Sequence, residues 1–156
     1  MRGRLWDTRP VDEATALELI LLADGDQVVS VRLADRMPAW GPDYYAADIV
    51  VTSDFVNAQL RILVTLEDLD HWTGALDLIE ADELRAAGGD LLSVDWPPAG
   101  NDGYLRFIAD DPYVVEVHDQ PQTRISVRVP LDMDEGWIAE ARQRLRAVQT
   151  LLVPSE

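Results

Sequence analysis

Cysteine and lysine are both missing from this chain. Without Cys there can be no disulfide framework, no thiolate metal site and no cysteine nucleophile. Histidine is limited to His71 and His118, which the pattern of the chain puts on different elements. There is no Gly-x-Ser-x-Gly elbow, no phosphate-cradling Gly-x-x-x-x-Gly-Lys loop and no dinucleotide fingerprint. The usual pairings of nucleophile and base therefore lack parts. No apolar run approaches the length of a membrane span, and the charged start "MRGRLWDTRP" is not followed by the apolar stretch of a signal sequence. A cytoplasmic protein is the expectation.

What the chain has in excess is negative charge. Its 29 acids face 13 bases, all Arg, for a formal net charge of −16. The excess is spread evenly over both halves of the sequence, so no acidic tail accounts for it. A field of this sign repels phosphate backbones and anionic headgroups, which argues against nucleic acid and membrane surfaces as partners and in favour of a basic protein. With 156 residues, 47% of them hydrophobic, the chain suits one globular domain. We place that domain at residues 16–153, after a flexible N-terminal arm at 1–15 in which Pro10, Asp12 and Glu13 oppose early structure.

"LELILLADGDQVVSVRLA" reads as a hairpin turned at Asp24-Gly25-Asp26. "YYAADIVVT" and "FVNAQLRILVT" form a second, turned at Ser53-Asp54, in which Val56, Ala58, Leu60, Ile62 and Val64 keep the two-residue period of a half-buried strand. A helix follows over about 65–82. Thr65 and Asp68 supply a capping box, Glu67 and Asp68 complement the helix dipole, and Leu66, Leu69, Trp72, Leu76 and Ile79 share one side. Three or four strands come next, within "DLLSVDW", "GYLRFIA", "YVVEVHD" and "TRISVRVPL". The second helix, about 134–152, is capped by Asp132 or Asp134 and turns Trp137 or Ile138, Ala141, Leu145, Val148 and Leu152 inward. Strands in runs joined by short turns, with only two helices, predict an α+β fold of seven to eight mostly antiparallel strands. No internal repeat stands out in the residues.

The stretch "TLEDLDHWTGALDLIEADE" holds seven carboxylates and no Arg. At about 100° per residue, Glu67, Asp70, Gly74 and Asp77 lie nearly opposite the apolar side. A solvated helix would carry a base three or four residues from each acid, and Glu67, Asp70 and Asp77 have none. On the last helix, by contrast, Glu140 precedes Arg144 by four. An exposed Gly74 is unfavourable mid-helix by about 1 kcal/mol and would let another surface approach closely. We take Glu67, Asp70 and Asp77, extended by Glu80, Asp82 and Glu83, as the candidate partner-binding patch.

Other constellations read as structural. Asp24-Gly25-Asp26 and Asp110-Asp111 are favoured turn residues and lack the spacing of a calcium loop. His71 and His118 could meet with nearby Asp around a metal, but a structural His is the commoner outcome. Among 29 acids no pair is singled out for glycosidase chemistry. Trp72 and Trp137 fall at core positions, whereas Trp40, Tyr44, Tyr45 and Trp96 lie in or beside loops and are either core plugs or contact residues.

The succession "DYYAADIVVTSDF", "TLEDLDHWTGAL", "SVDWP", "YLRFIA", "VVEVHD", "ISVRVPL" and "DEGWI" resembles small actinobacterial domains. It is similar, more distantly, to the WapI-type immunity family of polymorphic toxin systems. The likeness runs from Tyr44 to Leu152 and rests on element order and on Asp68, Leu69, Trp72, Trp96 and Trp137. It implies a non-enzymatic protein that needs no cofactor, and that binds and neutralises a cognate toxin, often a basic nuclease domain. A structural or regulatory module that forms a homodimer is the alternative, and a metal-dependent hydrolase built on the two His is a third.

Overall fold

The computed structural model describes residues 17–81, 93–98 and 103–152. The arm expected at 1–15 lies outside them. Eight strands and two helices follow in order: β1 (Glu18–Asp24), β2 (Gln27–Arg36), β3 (Tyr44–Thr52), β4 (Asn57–Thr65), α1 (Leu66–Glu80), β5 (Ser93–Trp96), β6 (Gly103–Ile108), β7 (Tyr113–Asp119), β8 (Ser126–Leu131) and α2 (Trp137–Leu152). The strands make two four-stranded antiparallel meanders, β1-β2-β3-β4 and β5-β6-β7-β8. The α+β expectation holds.

Turn chemistry sets the hairpins. Asp24 pairs with Gln27 across a two-residue loop, and positive φ is confined there to Gly25, at 58°, as a turn that matches strand twist requires. Between β3 and β4, the Ser53 hydroxyl accepts from the amides of Phe55 and Val56 and donates to the Val56 carbonyl.

The chain is two successive ββββα units. In the first sheet Glu18 pairs with Arg32, Arg32 with Asp48, and Asp48 with Arg61. In the second, Asp95 pairs with Arg106, Arg106 with Glu116, and Glu116 with Arg128. Each outer face thus carries one row of alternating charge at the same strand positions. Opposite charges facing each other across a ladder stabilise the pairing and oppose register slips. The residues flanking each row are core in both units: Leu19 and Trp96, Val31 and Leu105, Leu33 and Phe107, Ile49 and Val117, and Ile62 and Val129 are all buried. The pattern of the residues repeats where their identities do not, so no sequence repeat stands out.

Within the rows Arg61 bridges Asp48 at 2.9 Å, Arg106 bridges Asp95 at 2.8 Å and Arg128 reaches Glu116 at 3.3 Å. The hydrogen bond from Arg61 holds the Asp48 carboxyl below its ordinary value, with burial acting the other way.

Each helix leans on the first strand of the other unit. α1 packs on β5 as well as β4 and α2, and α2 packs on β1. The joint is aromatic. Trp72 of α1 lies 5.8 Å from Trp96 and 5.3 Å from Phe107, ring centroid to centroid. The Trp96 indole N–H donates to the Asp68 carbonyl at 2.7 Å.

The second helix differs from expectation at its start. Residues 135–136 form a turn, and Trp137 N–H donates to the Asp134 backbone carbonyl at 3.3 Å. Asp132, proposed as a cap, instead donates its amide to Asp24 Oδ2 at 2.9 Å, tying the end of β8 to the first hairpin. Arg144 likewise bridges Glu18 of β1 at 3.2 Å, in place of the Glu140 one turn before it.

At Gly103, β6 of the second sheet packs tightly against β4 of the first. A Cβ there would collide with Leu60 Cδ2 and sit 3.1 Å from both Ile62 Cγ2 and the His118 carbonyl. Gly103→Ala is expected to destabilise by about 1–3 kcal/mol through overpacking, while Gly74→Ala, whose Cβ meets nothing within 4 Å, should stabilise by up to about 1 kcal/mol. Denaturant unfolding of the two variants measures both, and equal midpoints would contradict this packing.

Candidate functional site

α1 begins as its sequence demands. The Thr65 hydroxyl accepts from the Asp68 amide at 3.2 Å, and Asp68 Oδ2 accepts from the Thr65 amide at 2.9 Å. This reciprocal cap fixes the first turn and buries Asp68. Leu69, Trp72, Ala75, Leu76 and Ile79 face the core. That orientation leaves Glu67, Asp70, Gly74, Asp77 and Glu80 exposed. Asp82 and Glu83 lie outside the described residues.

The six candidate acids do not share one electrostatic environment. Arg142 Nη2, arriving from α2, lies 2.9 Å from Asp77 Oδ1 and 2.6 Å from Glu80 Oε1. The bond to Glu80 comes first among the causes that hold the Arg142 guanidinium above its ordinary value, and burial opposes it. The absence of a base near Asp77, read from helical spacing, is therefore corrected. The compensating charge comes from the last helix, where no local pattern could reveal it. One guanidinium between two carboxylates still leaves a net negative charge at that end.

Glu67 and Asp70 are different. Among the described residues no Arg forms an ion pair with either of them. The described arginines are largely engaged elsewhere: Arg61, Arg106 and Arg128 in the sheet rows, Arg142 and Arg144 between elements. The first two turns of α1 thus present Glu67 and Asp70 without an ion-pairing Arg among the described residues, beside the open backbone of Gly74. His71 is on this flank too, its Nδ1 3.5 Å from Asp68 Oδ1.

His118 is elsewhere, with its ring stacked on Tyr104 at 4.7 Å and its Nε2 2.8 Å from Glu116 Oε1. Among the described residues no group of three or more acids and histidines is placed to hold a metal ion. Of the loop aromatics, Trp96 and Tyr45 are buried, Tyr44 is half-buried and Trp40 is 62% exposed.

A second acidic feature escaped sequence reasoning. Asp110, Asp111, Asp132, Asp134 and Glu135 ring a cavity of about 350 Å³, with Tyr113 and Trp137 in its wall. Their rings meet edge to face at 6.1 Å. In the sequence these acids look like turn and cap residues, and only the pairing of β7 with β8 brings them together.

Removing the Arg142 clamp tests the charge balance. Arg142→Met should lower the melting temperature at low ionic strength by an amount worth about 1 kcal/mol or less, and the difference from the parent chain should shrink as salt is raised. A deficit that does not change with salt would mean that Arg142 acts through packing alone.

No helix among the described residues is long and apolar enough to cross a membrane. No curated protein and no solved structure matches the chain. The model of one family, described as a family of unknown function (DUF5959), matches residues 17–153, which covers both sheets and both helices. The chain belongs to that family.

Proposed function

We propose that this protein is a non-enzymatic, cytoplasmic interaction module of immunity type, which binds and neutralises a basic toxin domain through the acidic face of α1. The single observation that carries this reading is the pair of exposed carboxylates Glu67 and Asp70, with which no Arg among the described residues forms an ion pair, on a helix locked in place by its cap and its aromatic core side. Asp77 and Glu80 extend the face with a reduced charge because Arg142 is shared between them, and Asp82 and Glu83 continue it in sequence.

Charge of one sign on a rigid element raises the rate at which an oppositely charged partner arrives and rejects partners of like charge. Like charges held side by side oppose folding slightly, and a partner's Lys or Arg would relieve that opposition. On a nuclease, the side chains that receive phosphate would receive carboxylates instead. The distant resemblance in element order to the WapI-type immunity family, read from the sequence alone, is what suggests a toxin as the class of partner, and the paucity of catalytic motifs fits a protein that acts by occupancy.

The test is to express the reading frames that flank this gene with and without the chain. One of them is expected to arrest growth only when the chain is absent. Glu67→Arg with Asp70→Arg should abolish protection and slow association by about tenfold or more at low salt, while the double variant keeps the circular dichroism of the parent. Arg142→Gln, which frees two carboxylates, should protect at least as well. Full protection by the charge-reversed chain would remove α1 from the interface, and flanking products that are harmless with or without the chain would overturn the immunity reading.

A further inference from the structure

We propose that the cleft between the two sheets, at the end away from α1, receives the side chain of a lysine or arginine from a protein partner. The aliphatic stem would lie on apolar strand residues and the charged head would meet Asp119. This site is independent of the α1 face, and neither proposal needs the other.

The cleft has a volume of about 220 Å³, suited to a single long side chain. Ile49 and Val51 of β3 and Ala58 and Leu60 of β4 form one wall, while Val117 of β7 and Val127 of β8 stand opposite. Ile125, 65% exposed, adds an apolar lip. The β3–β4 turn, which connects Val51 to Ala58, carries Phe55 at 93% exposure. Ile125 and the apolar walls of the cleft make a contiguous open apolar surface, of the kind that a binding partner covers.

Among the described residues, Asp119 is the one acid that lines the cleft. Its Oδ2 accepts from the Thr123 hydroxyl at 2.9 Å, whereas its Oδ1 is buried with no hydrogen-bond partner. Among the described residues no base pairs with it. A carboxylate oxygen taken out of water without a donor is unfavourable, and nearly all such atoms in folded proteins find one. The surrounding turn is built with care for geometry. Thr123 Oγ1 accepts from the Ile125 amide at 3.1 Å, the Arg124 amide donates to the Asp119 carbonyl at 2.8 Å, and Arg124 takes a left-handed φ of 65°. These contacts hold Asp119 and Ile125 side by side in the cleft.

The occupant must therefore supply an apolar body and an N–H donor, preferably a charged one, since it meets a carboxylate on a protein of net charge −16. Lys and Arg combine both in one side chain, with a stem that covers apolar surface and a head that seeks an acid.

The probe is n-hexylguanidinium, with 1-hexanol and hexanoate as controls of the same chain length, titrated into the protein with isoleucine, leucine and valine methyl groups observed by NMR. Saturable shifts are expected at Ile49, Leu60, Ile125 and Val127 with the guanidinium, binding about tenfold weaker or worse for hexanol, and none for hexanoate. Asp119→Asn should weaken the guanidinium by about tenfold and leave hexanol unchanged. If that variant misfolds, the three-ligand series on the unaltered chain still decides. Equal binding of hexanol and hexylguanidinium, shifts confined to acidic surface away from the cleft, or no shifts at all would overturn the proposal; the last outcome would leave Asp119 Oδ1 to an ordinary bound water.

Discussion

α1 joins the two antiparallel meanders, packing on β4 of the first and β5 of the second. Trp72 projects from the helix onto Trp96 and Phe107 of the second sheet, and the Trp96 indole N–H closes on the Asp68 carbonyl at 2.7 Å. Asp68 also closes the capping box with Thr65 at the end of the first sheet. A single turn of helix therefore touches both units. That junction fixes the rotation of α1, and the rotation decides which of its acids face water. The charge that makes the helix a candidate interface is thus presented by a hydrophobic joint on its opposite side.

The arrangement of arginine is the complementary constraint. Rows of alternating charge run across the outer faces of both sheets at matching strand positions, and they occupy basic residues that would otherwise offset the acids. Arg142 and Arg144 join elements distant in sequence, to Asp77 and Glu80 in one case and Glu18 in the other. Among the described residues, the acids left without an Arg ion pair include Glu67 and Asp70 at the start of α1 and Asp111, Asp132, Asp134 and Glu135 around the cavity beside Trp137.

Local physics was legible in the residues. Gly25 in its hairpin, the Thr65–Asp68 cap, the apolar side of α1 and the alternation in β4 all depend on neighbours within four positions, and each appears in the structure. What could not be read depends on tertiary pairing. Nothing near Asp77 in sequence announces Arg142. The Glu140–Arg144 spacing suggested a pair, yet Glu18 of a distant strand takes the guanidinium. The repeat of two ββββα units was hidden because burial and charge sign recur while the residues themselves change, Leu19 answering to Trp96 and Asp48 to Glu116. The cleft beside Asp119 requires both sheets at once, so neither sheet's sequence hints at it.

On the proposed reading the acidic face of α1, with no described Arg paired to Glu67 or Asp70 and Arg142 shared between Asp77 and Glu80, engages a basic protein. Amide hydrogen exchange, measured on the protein alone and in complex with the neutralised partner, addresses it most directly. Exchange is expected to slow along α1 from Glu67 to Asp77 on complex formation. Slowing confined to other elements, with α1 exchanging as it does in the free chain, would contradict it.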